Sequence, residues 1–383
     1  MTTRLRDLGI GIGRYPTGPR NSITDVAGVR VGHSTIIRGD AGPLRVGEGP
    51  VRTGVTAVIP HPGDTWERPC FAGFFALNGS GEWTGMHFVR EAGTLYGPIM
   101  TTNSHSVGTV RDAVVAIESR RRGVLERLPV VGETWDGMLN DIGGLHVREE
   151  HVAHALDTAS EVVAEGSVGG GTGMVCHGFK GGIGTSSRVV EQPAGTYTLG
   201  VMVQANHGGR EEFEVAGVPV GEMIPLSEVP LGVPGSQDRG PLDPHKNSIL
   251  IIVATDAPLL PSQCERIAHR ATLGVARNGA YGHHLSGDFA LAFSTAQHPR
   301  EGFDFGASEV ESLRVLPNSA LSPLLAAAME CTQEAILNAL VAAETMEGAD
   351  GFRAFGLDAS RLQECVGRYS GPLSPQPPSP PGD

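Results

Sequence analysis

The chain has 383 residues, 40% of them apolar and 19% charged, with a formal net charge of −13. That balance fits a folded globular chain and excludes disorder over most of its length. The acidity, with no compensating basic block, excludes nucleic acid as an expected partner.

The five cysteines, Cys70, Cys176, Cys264, Cys331 and Cys365, form no CxxC pair and are odd in number. A disulfide framework or zinc ribbon is therefore not expected, and a reducing compartment is. The first residues hold no apolar run of signal-peptide length. No segment reads as membrane-spanning. A cytoplasmic protein without a membrane partner is the expectation.

In chain order, 29–37 and 53–60 are short and β-branched and predict strands. Residues 106–120 and 147–164 carry helical periodicity. Residues 166–188 are dense in glycine. They lack a Walker-spaced GK[ST] and an acidic residue placed for a ribose, so close backbone packing is expected rather than a nucleotide loop. Residues 197–205 predict a buried strand. Residues 224–247, rich in Pro and Gly and without period, predict a linker. Residues 249–255 (ILIIVAT) form the continuous apolar run of a strand buried on both faces. A helix is expected over 259–277, a strand over 288–295, and a long Ala/Leu helix over 319–344, interrupted near Pro323. The tail 371–383 is proline-rich and expected to be disordered. Irregular alternation of strands and helices predicts a mixed α/β layered architecture in one domain, 1–370.

Chemistry is concentrated at a few places. Ser248 sits where the linker meets the buried strand. Scission of the Asn247–Ser248 bond would leave it anchored and give it a free α-amine, which titrates near ~7.7–8.0 and can take a proton at neutral pH. Asn-Ser also occurs at three other places, so the signal is the context and not the dipeptide. In His284-Leu285-Ser286-Gly287-Asp288, a hydroxyl and a carboxylate two residues apart can orient or relay a proton. An ordinary turn fits that run equally well. Asn206, closing the strand before His207, can donate an amide to a developing oxyanion or serve as a turn asparagine. Glu133 and Trp135, between glycines, can receive an ammonium group by ion pairing and cation–π contact or belong to a surface turn. The pairs His151/His154 and His283/His284 come with no third ligand, so neither a metal nor a cofactor is expected.

Taken together, NSITDVAGVRVGH, GETWDGMLNDI, VGGGTGMVCHGFKGGIGTSSR, LGVMVQANHG, NSILIIVATDAPL and HLSGDFALAFSTA make the chain resemble the DmpA-like self-processing L-aminopeptidase/D-esterases, which include the β-peptidyl aminopeptidases. The resemblance spans about Leu5 to Arg368. It implies a four-layer αββα sandwich, similar to N-terminal nucleophile hydrolases but differently connected. It implies self-cleavage at Asn247–Ser248 into chains 1–247 and 248–383, with Ser248 as nucleophile. Ser286 and Asp288 match the orienting serine and its acidic partner, Asn206 the oxyanion donor, and Glu133 the carboxylate that receives the substrate amine. The implied substrates are small peptides and amino-acid amides or esters, and the implied assembly is a homo-oligomer, with a tetramer favoured. The sequence departs from some relatives at Trp135, where an indole replaces a smaller aromatic, and at Asp288, where β-peptide-cleaving relatives carry glutamate. Two rival readings remain at this point: an amide or oligoamide hydrolase on the same scaffold, and an unprocessed, non-catalytic binding protein.

Overall fold

The computed structural model describes residues 3–234, 248–299 and 310–369. Two large sheets are built from strands that run, in chain order, β1 (Arg30–Arg38), β2 (Val51–Ile59), β3 (Cys70–Gly79), β4 (Thr94–Leu95), β5 (Ile99–Asn103), β6 (Val130–Thr134), β7 (Gly182–Gln192), β8 (Gly195–Asn206), β9 (Ser248–Thr255) and β10 (Gly287–Ser294). The helices used below are α1 (Met86–Ala92), α2 (Val107–Arg122), α3 (Glu149–Asp157), α4 (Pro261–Ala271), α5 (Ser322–Ala342) and α6 (Ala359–Tyr369). One sheet has the order β1-β2-β5-β6 and the other β4-β3-β10-β9-β8-β7.

Three apolar layers fix how the sheets and helices stack. Between the sheets, Val31, Val58, Ile99 and Val130 meet Leu250, Ile252, Ala254, Leu291 and Phe293. On the far face of the first sheet, Val55, Ala57, Met100 and Val131 pack against Val110 and Val114 of α2 and Val152 and Ala155 of α3. On the far face of the second, Ile249, Ile251 and Val253 pack against Ile267 and Ala271 of α4 and Ile336 and Leu340 of α5. The result is helices, sheet, sheet, helices: the four-layer αββα sandwich. Strand β9 shows why its sequence is a continuous apolar run. Successive side chains enter two different cores, and each fully buried Ile or Leu contributes roughly 1.5–3 kcal/mol.

Several expectations are corrected. Strands β3, β5 and β6 and helices α1 and α6 were not anticipated. β5 (IMTTN) and β6 (VVGET) are short and polar at one end, so their period is weak. Helix α3 ends at Asp157 rather than 164, because Ser160 leaves the helix to exchange backbone hydrogen bonds with Val31. The helix over 259–277 is divided at Thr272. Pro323 does not interrupt α5 but starts it, in the first turn, where no backbone N–H is needed. The glycine-dense stretch runs into β7, where a Cβ on Gly184 would lie 2.0 Å from the Ala335 carbonyl of α5. Close helix–strand packing, not ligand binding, requires that glycine.

The 25-residue segment Asn318–Ala342 is, against expectation, long and apolar enough to cross a membrane, but 78% of its apolar window is buried within the protein. Its hydrophobicity is that of a core helix. Its polar exceptions are also buried: Arg188 of β7 pairs with Glu330 at 3.3 Å and Glu334 at 2.7 Å, and Arg6 adds a second cation to Glu334 at 2.7 Å.

Candidate active site

The register of the second sheet assembles the site. Ser248 opens β9. It stands opposite Asn206 on antiparallel β8 and opposite Gly287 on parallel β10. Residues 42 apart on one side and 39 on the other therefore converge at one sheet end. Asn247, the other half of the expected cleavage bond, and the tail 371–383 lie outside the described residues.

The Ser248 hydroxyl is buried and its Oγ accepts the Gly287 N–H at 3.2 Å. One residue back, the Ser286 hydroxyl donates to Asp288 Oδ1 at 2.6 Å. The other Asp288 oxygen, Oδ2, is buried and has no hydrogen-bond partner among the described residues. Burial pushes the Asp288 carboxyl up to about 6, with smaller offsets from the Ser286 hydroxyl, His283 and the Ile249 N–H. A carboxyl poised there exchanges protons close to neutrality, which suits acid–base work. The turn reading of this run is also satisfied in part, since Ser286 N–H bonds to the His283 carbonyl at 2.8 Å.

Asn206 is held by both ends of its amide. Its Oδ1 accepts the Val175 N–H at 2.8 Å, and its Nδ2 donates to the Trp135 carbonyl at 3.1 Å. Fixing the flip in this way leaves the second Nδ2 hydrogen at the Ser248 end of the sheet. Trp135 thus touches this group through its backbone. Its half-buried indole packs over Gly137 and beside Met138 and Val175.

Glu133 is the penultimate residue of β6 in the first sheet. Its Oε1 accepts the Glu82 N–H at 2.9 Å and its Oε2 the Ser104 hydroxyl. Burial raises its carboxyl above the ordinary range, partly offset by those two donors. A Cβ built on Gly81 would lie 2.7 Å from Glu133 Oε1 and 3.4 Å from the Gly287 Cα. Gly81 therefore marks where the Glu133 carboxylate and the Ser248 neighbourhood meet across the two sheets. Ser248, Ser286, Asp288, Asn206, Glu133 and the Trp135 backbone gather here; His151 and His154 lie apart on α3.

Sequence reasoning missed the groups that hold this set in place: Gly287 N–H, Val175 N–H, Ser104, the Glu82 N–H and Gly81. Backbone donors carry no side-chain signature. The parallel pairing of Thr102 with Glu133 is what carries Ser104, two residues on, to the carboxylate.

A four-layer αββα sandwich with a serine at the head of a central strand defines a layered α/β hydrolase of the N-terminal-nucleophile-like class. Residues 21–354 match Peptidase family S58, and the chain belongs to that family. It is 46% identical over 372 residues to the β-peptidyl aminopeptidase BapA of Sphingosinicella microcystinivorans, covering 96% of this chain and 92% of that protein. Among solved structures, a β-aminopeptidase of Burkholderia sp. superposes with a TM-score of 0.85 at 46% identity, over 96% of this chain and 99% of that one. The L-aminopeptidase D-Ala-esterase/amidase of Ochrobactrum anthropi, described as a prototype serine aminopeptidase with a variant Ntn hydrolase fold, gives 0.85 at 40% identity over 96% and 98%. The chain is accordingly a hydrolase of the aminopeptidase type.

Proposed function

We propose that this protein is a self-processing serine aminopeptidase in which Ser248 serves first as the nucleophile of its own cleavage and then as that of catalysis. The observation that carries the reading is the convergence of the Ser248 hydroxyl, the Ser286–Asp288 pair and the twice-anchored Asn206 amide at one sheet end. In the precursor, Ser248 Oγ attacks the Asn247 carbonyl and its proton passes toward the Ser286–Asp288 pair. That proton then passes to the Ser248 nitrogen as the C–N bond breaks, giving an ester at Oγ and a free α-amine, and water hydrolyses the ester to release chain 1–247. In the mature enzyme the same oxygen attacks an amide or ester next to a free amino terminus. Asn206 donates to the oxyanion, the amine or alcohol leaves with a proton, and water hydrolyses the acyl-enzyme.

Glu133, a carboxylate with two donors and no cation of its own at hydrogen-bond distance, receives the substrate ammonium. That requirement favours an exo-acting aminopeptidase over an oligoamide hydrolase. The two β-aminopeptidases at 46% identity support N-terminal β-amino acids as the preferred class. The shorter Asp288 keeps α-amino acids as the competitor. A homo-oligomer, a tetramer first among the candidates, and a cytoplasmic location belong to the same reading.

Intact mass and N-terminal sequencing test the first step: a chain beginning Ser-Ile-Leu-Ile is expected. A chain that stays whole on prolonged incubation would leave only the binding-protein reading. Matched p-nitroanilides of a β-amino acid, an L-α-amino acid and their N-acylated forms test the second. Turnover of the acylated forms would overturn the role given to Glu133.

A further inference from the structure

One cluster of metal-ligating side chains has no part in the chemistry above. Cys176, His177 and His207 are all buried, and each offers a ligand atom within 4.8 Å of the other two. The two chain segments are tied together by the His177 N–H, which donates to the His207 carbonyl at 2.7 Å. Cys176 Sγ and His207 Nδ1 lie 3.6 Å apart. A zinc ion with bonds of about 2.0 Å to nitrogen and 2.3 Å to sulfur holds its ligands roughly 3.5 Å apart. One edge of a coordination polyhedron is therefore already at its span, and the ligand atom of His177 lies within 4.8 Å of the other two.

The imidazoles are arranged as ligands. His177 Nδ1 faces the Gly209 carbonyl at 3.0 Å. That contact places the ring proton on Nδ1 and leaves the Nε2 lone pair free, the outer-shell pattern of metal-bound histidines. His177 Nε2 and His207 Nε2 are both buried without a hydrogen-bond partner among the described residues. A buried unpaired polar atom costs about 1–3 kcal/mol; a cation held by Cys176 Sγ and His207 Nδ1 would give His177 Nε2 the partner it lacks. Phe213 stacks on His177 at 4.7 Å and closes that side. The second such cluster, His61, Cys70 and His298, lacks this property. Both nitrogens of His61 face carbonyls, at 2.8 and 2.7 Å, and His298 Nδ1 faces the Pro69 carbonyl.

We propose that Cys176, His177 and His207 form a structural binding site for one soft transition-metal cation, zinc foremost. Thiolate with imidazole selects such ions over calcium or magnesium. Binding makes a sulfur–metal bond, breaks the Cys176 S–H bond and releases that proton to solvent; nothing is oxidised or reduced. The site flanks the oxyanion donor on both sides. Val175, which precedes Cys176, donates to Asn206 Oδ1, and His207 follows Asn206 in the chain. A bound cation would lock both flanks and hold the amide in place.

The test uses the full chain, purified from cells grown with added zinc and dialysed against a chelator, which removes surface ions and spares a buried one. Mass spectrometry of the metal should find about one zinc per chain, falling at least about tenfold in both Cys176→Ala and His207→Ala. Zinc below about a tenth of an ion per chain in the unaltered protein, or zinc retained in Cys176→Ala, would overturn the proposal. Should those variants fail to fold, unaltered protein from cobalt-grown cells decides. A thiolate-to-cobalt charge-transfer band supports the site, and its absence sinks it.

Discussion

Asp288 and Glu334 are both buried carboxylates, yet the protein treats them in opposite ways. Around Glu334, burial pushes the carboxyl up, but the Arg6 hydrogen bond, the Arg188 charge and Asn21 outweigh it and hold it below the ordinary range. Its two oxygens are filled by Arg6, Arg188 and Asn21, all within 2.8 Å. Around Asp288, one oxygen holds the Ser286 hydroxyl, the other has no partner, and burial wins. The first carboxylate is fully compensated and locks α5 to β7 and the N-terminal segment. The second is left short of donors beside a nucleophile. Compensation, more than depth, separates a structural charge from a reactive one.

Substitutions can break this contrast. The largest expected effect is at the nucleophile: Ser248→Ala should abolish processing and lower p-nitroanilide hydrolysis by about 10⁴-fold or more, read by intact mass and initial rates. Processing at an undiminished rate would remove Ser248 from the scheme. The two carboxylates should then separate cleanly. Glu334→Gln takes the nearer of two carboxylates from buried Arg188, leaving Glu330 at 3.3 Å, and also strips Arg6 of its partner; it should cost up to about 3–5 kcal/mol of stability in urea unfolding. Asp288→Asn leaves no cation unpaired. It should keep the urea midpoint or raise it, while slowing self-cleavage by about 10²-fold. Equal stability losses in the two variants would erase the distinction.

Acidity sharpens the same contrast. The precursor has no free Ser248 α-amine, so its cleavage should follow the Asp288 carboxyl and fall by about tenfold per pH unit below about 6. The stability terms have opposite signs. The folded-state pKa of Glu334 is depressed, so its contribution is present above the ordinary value of 4.5 and lost as pH falls through the folded value. That of Asp288 is raised, so its contribution is present below 3.8 and lost as pH rises through about 6. Stopped-time processing assays between about pH 4 and 8, and urea midpoints taken from about pH 2 to 8, measure the two separately. A cleavage rate flat across pH 6 would show that Asp288 does not carry the proton.

The residues that do chemistry were more legible in the sequence than the contacts that hold them. ILIIVAT announces a strand buried on both faces because six apolar residues in a row leave no polar side for solvent, and it places Ser248 at the strand's head. The Ser286–Asp288 pair is legible because the two lie two residues apart. That Ser248 faces Asn206 is not, since sheet order and register depend on packing between segments distant in sequence. The same limit hides Ser104 beside Glu133, and it hides the meeting of Cys176 with His207, 31 residues apart. Helix α5 misleads in the other direction. Its sequence reads as a helix interrupted near Pro323, and its apolar length makes sense only once β7, β8 and α4 are seen to cover it.

The smallest expected effect concerns Glu133, and it tests whether its burial serves recognition. Glu133 sits where a carboxylate is disfavoured, with the Ser104 hydroxyl and the Glu82 N–H as its partners. An incoming ammonium would complete its charge balance. Glu133→Gln preserves the shape and one of the two acceptor contacts, while removing the charge and turning the other acceptor into an NH2 donor. A charge-assisted hydrogen bond is worth about 1.5–3 kcal/mol, so kcat/KM for free-amine substrates should fall about 10- to 100-fold, with the loss mainly in KM. Self-cleavage, which involves no substrate amine, should proceed at its usual rate. If instead processing slows along with turnover, Glu133 shapes the site for both reactions and the amine is held elsewhere.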